Sequence, residues 1–181
     1  MKISISQLVL ILFLLSPAAL AGNRWHVTLP GGNMRFQGEV IAEACRVVLE
    51  DQQMTVSMGQ ISSAHFHSAG EYAEPVAFDI HLTDCSTAVS QRVGVSLRGV
   101  ADSREPDLLA VNDDKEASDS VAIAFFDKSG ELIKLNHPPE IWKSLVSGMV
   151  TLHFLARYKA IHYPVTGGKA NGQAWFFLTY E

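Results

Sequence analysis

The sequence predicts an all-β protein, an antiparallel sandwich of immunoglobulin-like type. Apolar residues recur at period two in short runs, those runs are separated by Gly, Pro and Asp turns, and no long segment repeats at helical period. A single pair of cysteines, Cys45 and Cys85, suits a small two-layer fold with one covalent staple. No internal repeat of about 20 to 50 residues is visible, so a solenoid or propeller is not indicated.

Residues 1–21 read as an export signal: Lys2 supplies a positive start, Leu8 to Leu15 an apolar core, Pro17 a break, and Ala19-Leu20-Ala21 a cleavage site before Gly22. The apolar core is shorter than the roughly 20 residues that span a bilayer, and no later stretch reaches that length. Cleavage after Ala21 leaves 160 of the 181 residues, enough for one domain with a sizeable core and too few for two. Lys2 departs with the signal, so 13 basic residues face 19 acidic ones and the net charge becomes −6. The basic residues are scattered singly among acids, which excludes nucleic acid as a partner, because phosphate binding needs Lys and Arg concentrated together.

From Gly22 to Gly32 the chain is polar and turn-rich, ending in Pro30-Gly31-Gly32, and reads as a flexible leader. Met34, Phe36, Gly38 and Val40 then alternate with Arg35, Gln37 and Glu39. Successive side chains of a strand point to opposite faces, so the first set lines one side and leaves the polar set on the other. That is a strand written as a detachable arm. The expected division is therefore a signal (1–21), an N-terminal extension carrying this strand (22–44) and a folded domain (45–181).

After Cys45, strand signals come at Arg46 to Leu49, at Thr55 to Met58, and in the alternation of Val76, Phe78, Ile80 and Leu82 with Ala77, Asp79, His81 and Thr83. Val93, Val95 and Leu97 alternate with Gly94, Ser96 and Arg98, and a polar stretch from Ala101 to Ser120 reads as a looped surface excursion. Val121 to Phe126, the turn Asp127-Lys128-Ser129-Gly130 and Leu132 to Leu135 read as a β-hairpin stopped by Pro138-Pro139. Glu140 to Leu145 leaves room for a brief helical turn. Leu152, Phe154, Ala156 and Tyr158 alternate in the next strand, a loop from Val165 to Gly172 carries three glycines, and Ala174, Phe176, Leu178 and Tyr180 alternate with Trp175, Phe177 and Thr179 in the last run before Glu181.

In an exported chain two thiols meet an oxidising compartment, so Cys45 and Cys85 are expected to form a disulfide. Closing a loop of about 40 residues stabilises a fold by roughly 4 kcal/mol in the chain-entropy description. A metal site would need more thiolate or imidazole ligands nearby. His65 and His67 are expected to share one strand face, but an H-x-H pair without a third ligand reads as a solvated face rather than a metal site. Asp113, Asp114, Glu116 and Asp119 lack the spacing and glycine of a calcium loop and read as a solvated charge run. Gly167-Gly168-Lys169 lacks the earlier glycine of a phosphate loop, with Tyr163 in its place, and reads as a turn. Trp142 and Trp175 are expected in core or groove packing rather than as a sugar platform. No metal or other cofactor is expected.

Four segments taken in order resemble a known family. They are Gly31-Gly32-Asn33-Met34-Arg35-Phe36-Gln37-Gly38-Glu39-Val40 leading to Ala44-Cys45, then Met58-Gly59-Gln60-Ile61, then Phe78-Asp79-Ile80-His81-Leu82-Thr83-Asp84-Cys85, and last Ala170-Asn171-Gly172-Gln173-Ala174-Trp175-Phe176 ending in Tyr180. The chain is similar along its mature length to the pilin subunits of chaperone-usher fimbriae, and within them to the minor fimbrin-like subunit of type 1 fimbriae. The resemblance implies an incomplete sandwich lacking its last strand, whose open groove along the final strand is filled first by a periplasmic pilus chaperone and then by the N-terminal arm of a neighbouring fimbrial subunit. It implies Met34, Phe36, Gly38 and Val40 as the donor strand, with Gly38 at the shallow spot of the receiving groove. Ala174, Phe176, Leu178 and Tyr180 are implied as groove lining, and the carboxylate end at Glu181 as a chaperone contact. An outer-membrane usher is the remaining implied partner, and export through the periplasm to the fimbrium on the bacterial cell surface is the implied route.

The function expected on this resemblance is a structural minor subunit that terminates, anchors or adapts a fimbria and contributes to adhesion only indirectly. The leader with Trp25 and Leu29 is longer and bulkier than major pilins show, which weighs against a shaft role. The alternative is a receptor-binding adhesin, but such tip subunits carry a lectin domain ahead of the pilin domain, for which 160 residues leave no room. An enzyme is not expected, since the sequence has no nucleophile elbow, no H-E-x-x-H and no paired carboxylates in a supporting context.

Overall fold

The computed structural model describes residues 33–38, 43–111 and 118–181. The export signal, the leader, Val40 of the arm, and Asp113, Asp114 and Glu116 of the acidic run lie outside the described residues. The chain divides into two units, one ending at Glu39 and one running from Val40 to Glu181. In the first, residues 33–38 belong to no strand or helix, and all six are exposed.

The second unit is built of antiparallel strands. In chain order they are β1 (Arg46–Val47), β2 (Val76–Cys85), β3 (Arg92–Gly99), β4 (Leu109–Ala110), β5 (Val121–Asp127), β6 (Leu132–Ile133), β7 (Trp142–Ser144), β8 (Gly148–Ala160) and β9 (Ala174–Tyr180). The larger sheet runs β1-β2-β8-β5-β4 with β6 paired to β5, and the smaller runs β7-β3-β9. β8 is central because its inward residues are apolar over the whole length: Val150, Leu152, Phe154, Ala156, Tyr158 and Ala160 are all buried. Phe78 of β2 stands opposite Phe154 and the two rings stack at 5.4 Å. Between the sheets, Ile80 and Leu82 of β2 join Val93, Val95 and Leu97 of β3 in one core. Burying such side chains contributes about 1.5–3 kcal/mol each, which is why the period-two alternation decides which face of each strand turns inward.

The turn between β5 and β6 follows from Asp127. Its carboxylate accepts from the Ser129 amide (2.8 Å), the Ser129 hydroxyl (2.6 Å) and the Glu131 amide (2.8 Å), while Gly130 takes the left-handed conformation at φ 86°. Burial pushes the carboxyl upward, but these hydrogen bonds outweigh it and hold the group below the usual carboxylate range.

Several expectations need correction. Thr55 to Met58 forms no strand; its inward positions pack Met58 against the core from a loop instead. Glu140 to Leu145 is not helical: Trp142–Ser144 pairs with β3, with Trp142 opposite Gly94. Gly94 is what lets this edge close, since a Cβ there would stand 2.6 Å from the Pro139 ring. The stretch from Ala101 to Ser120 is not wholly a surface excursion, because Leu108 and Leu109 are buried and β4 pairs with β5. His65 ends a short 3-10 turn (Ser63–His65) and does not share a strand with His67, whose ring instead meets Glu71 at 3.3 Å.

Candidate functional site

The last strand forms because aromatic and branched residues run without interruption from Trp175 to Tyr180 after the irregular segment ending at Gln173. It pairs with β3 along its whole length, setting Phe176 opposite Leu97, Leu178 opposite Val95 and Tyr180 opposite Val93. Among the described residues no strand pairs with its other edge. Burial falls away across that one strand step. Leu97, Val95 and Val93 are 5%, 9% and 1% exposed, whereas their partners Phe176, Leu178 and Tyr180, on the same inward face, are only half-buried. Ala174 is half-buried too. The sandwich is therefore uncovered along β9, where an unsatisfied main-chain edge and an apolar floor coincide.

A second wall faces that floor. A cleft of about 970 Å³ is lined on one side by Cys45, Arg46, Val47 and Val48 and on the other by Leu178 and Tyr180, with Met149 of β8 also at its surface. The Cys45–Cys85 disulfide joins the start of this wall to the end of β2. The Tyr180 hydroxyl donates to the Cys45 carbonyl at 3.3 Å across the cleft. Burial, and after it the negative charge of Glu43, raises the phenol's pKa above its ordinary value, so the hydroxyl stays protonated and remains a donor.

Beyond β9, the main-chain oxygen of Glu181 accepts from the amides of Gln91 and Arg92, each at 2.8 Å, and its side chain meets the Arg92 guanidinium at 2.6 Å. Both side chains are about half exposed, so this ion pair contributes little to stability. Met34 and Phe36 are 83% and 88% exposed, and Gly38 is exposed as well.

The structure corrects the expectation for Trp175. It lies on the outward face of β9 with Phe177, exposed, opposite Arg98, whose guanidinium stands 4.8 Å over the Phe177 ring. Trp142 is half-buried under Arg92, which lies 5.5 Å from its ring. Alternation with Phe176 and Leu178 was the available signal that Trp175 faces outward. The opposite wall is not legible in the sequence, since Arg46 to Leu49 reads as one more short strand and nothing in it reveals that it faces β9.

Chemically the cleft offers apolar surface and unpaired main-chain groups, and this combination suits addition of an extended strand. The family model described as fimbrial protein matches residues 34–181. The chain is 35% identical over 173 residues to the fimbrial subunit type 1 of Salmonella typhimurium, covering 94% of both. It is 30% identical over 155 residues to a fimbrin-like protein, FimI, of Salmonella typhi, covering 85% of this chain and 88% of that one. In structure it is similar to the P pilus rod subunit PapA, with a TM-score of 0.65 at 24% identity over 77% of this chain and 100% of that one.

Proposed function

The chain belongs to the fimbrial protein family, and from that premise we propose that it is a minor structural subunit that both receives and donates a strand. It is a structural subunit of a cell-surface fimbria and not an enzyme. The proposed donor strand is Met34, Phe36, Gly38 and Val40, and the proposed acceptor is the groove lined by Ala174, Phe176, Leu178 and Tyr180, with Glu181 at its end.

One observation carries this reading: β9 presents an inward apolar face that is only half-buried beside an edge that no described strand covers. An exported protein with such an edge aggregates unless a partner covers it. A periplasmic chaperone is the proposed first cover, and the arm of a neighbouring subunit, exchanged at an outer-membrane usher, the second. The exposed Met34 and Phe36 supply the matching apolar face for an onward neighbour.

Within the fibre we assign it an anchoring or adaptor place, with a neighbour on each side, or a terminating place where only one of the two strands is exchanged with a subunit, contributing to pilus biogenesis and only indirectly to adhesion. The likeness to a fimbrin-like relative and the bulky leader support this, while the likeness to type 1 fimbrial subunits supports a shaft place as the second reading. Gold labelling of an epitope-tagged copy on whole fimbriae separates the two. The minor reading expects one label or a few per fibre, clustered at an end or junction; label spread evenly along the shaft would make this a shaft subunit.

A further inference from the structure

The cleft wall opposite β9 is weakly built. β1 contributes two residue pairs, Arg46 with Thr83 and Val47 with Leu82, followed by one more hydrogen bond from the Val48 amide to the His81 carbonyl at 3.0 Å. So short an edge strand frays unless something beyond it holds the chain. The Cys45–Cys85 disulfide ties the start of the wall to β2, and past β1 the tie back to β2 comes from the Asp51 side chain. After Val48 the chain makes a 3-10 turn (Leu49–Asp51), and this turn swings the Asp51 carboxylate back onto β2. Its Oδ2 accepts from the His81 amide at 2.6 Å and lies 2.8 Å from the His81 ring Nδ1, with the Asp51 side chain only 13% exposed. His81 thus grips the wall segment three times, through its carbonyl, its amide and its ring.

We propose that the Asp51–His81 contact is a latch that holds the wall of the acceptor cleft in place and so sets how long a docked strand stays. The inference rests on the strand-acceptor reading of the cleft. Asp51 and His81 lie outside the cleft lining, so they act as positioning residues. The charged and titratable groups nearest on the same face do not replace Asp51, because Asp79 is engaged by His153 at 2.8 Å. A hydrogen bond to a charged carboxylate is stronger than a neutral one, and a pre-ordered wall spares a docking strand the cost of ordering it.

The test uses the mature chain, refolded with a synthetic peptide copying residues 31–43, and compares Asp51→Ala, Asp51→Asn and His81→Ala. Two quantities are read: release of the labelled peptide into an excess of unlabelled peptide, and amide exchange of residues 46–52 and of His81 against β8 as internal reference. If losing the latch weakens the docked peptide by about 1.4 kcal/mol and, as interface changes mostly do, acts on dissociation, Asp51→Ala releases peptide about tenfold faster. Exchange of the Val48 and His81 amides rises while β8 is unchanged. Asp51→Asn, which keeps an acceptor oxygen, recovers most of the effect, and His81→Ala, which keeps both main-chain bonds, falls between. Wild-type exchange and release in Asp51→Ala would overturn the latch, as would equal losses in Asp51→Ala and Asp51→Asn. Failure of the wild-type chain to hold any arm peptide would overturn the acceptor reading instead, and the exchange measurement would still decide the latch.

Discussion

Deleting residues 34–40 is expected to leave a subunit that accepts a strand normally but can no longer be joined to the next subunit. Among the described residues every core residue lies from Ala44 onward, so thermal stability and chaperone capture should match those of the intact chain. What it removes are Met34, Phe36 and Val40, the apolar members of the proposed donor strand. At about 1.5–3 kcal/mol for each side chain fully buried in a receiving groove, their loss costs on the order of 5–9 kcal/mol. Each 1.4 kcal/mol is about tenfold in affinity, so donation falls by about a thousandfold or more. Mixing the deleted subunit with a chaperone-held partner and following formation of the joined pair by gel filtration checks this. Pair formation at the intact rate would show that the arm is not the donor.

The second large effect is expected from the disulfide. Cys45 and Cys85 are separated by 40 positions and tie the start of the cleft wall to the end of β2. Replacing both by serine should cost about 4 kcal/mol through the freed loop of the unfolded chain. Small domains are stable by only about 5–15 kcal/mol, so this is a large share. Both cysteines are buried in the core cluster, and two hydroxyls left there add to the loss. Urea unfolding of the peptide-complemented chain, oxidised against doubly substituted, measures the change. A shift below about 1 kcal/mol would mean that the wall is held by other contacts, leaving the bridge a minor part of the fold.

Where side chains alternate and one face is buried, the chain could be read directly. β2, β3, β8 and β9 were legible because Ile80, Val95, Phe154 and Leu178 stand in period-two runs whose register cannot slip without exposing the core. Trp142–Ser144 was not, because a three-residue strand is too short to show a period and is defined by its partner: Trp142 lies across Gly94, close to the Pro139 ring that packs on that glycine. Leu108 and Leu109 were hidden for the same reason, as two apolar residues within a polar stretch that β5 happens to cover. The candidate groove was half legible. The apolar face of β9 is plain in Ala174, Phe176, Leu178 and Tyr180, but which edge stays open depends on sheet order, which no local pattern records. Asp51 and His81 lie 30 residues apart and neither belongs to a motif, so their contact appears only once β1 is laid against β2.

Amide exchange along β9 shows whether its outer edge waits for a strand. The complemented chain is compared before and after removal of a peptide copying residues 31–43, with β8 as reference. Those β9 amides that do not bond to β3 are expected to be protected only while the peptide is bound, and the peptide's own alternate amides to gain protection with them. Full protection of every β9 amide without any peptide, or no change on adding it, would mean that the edge takes no strand.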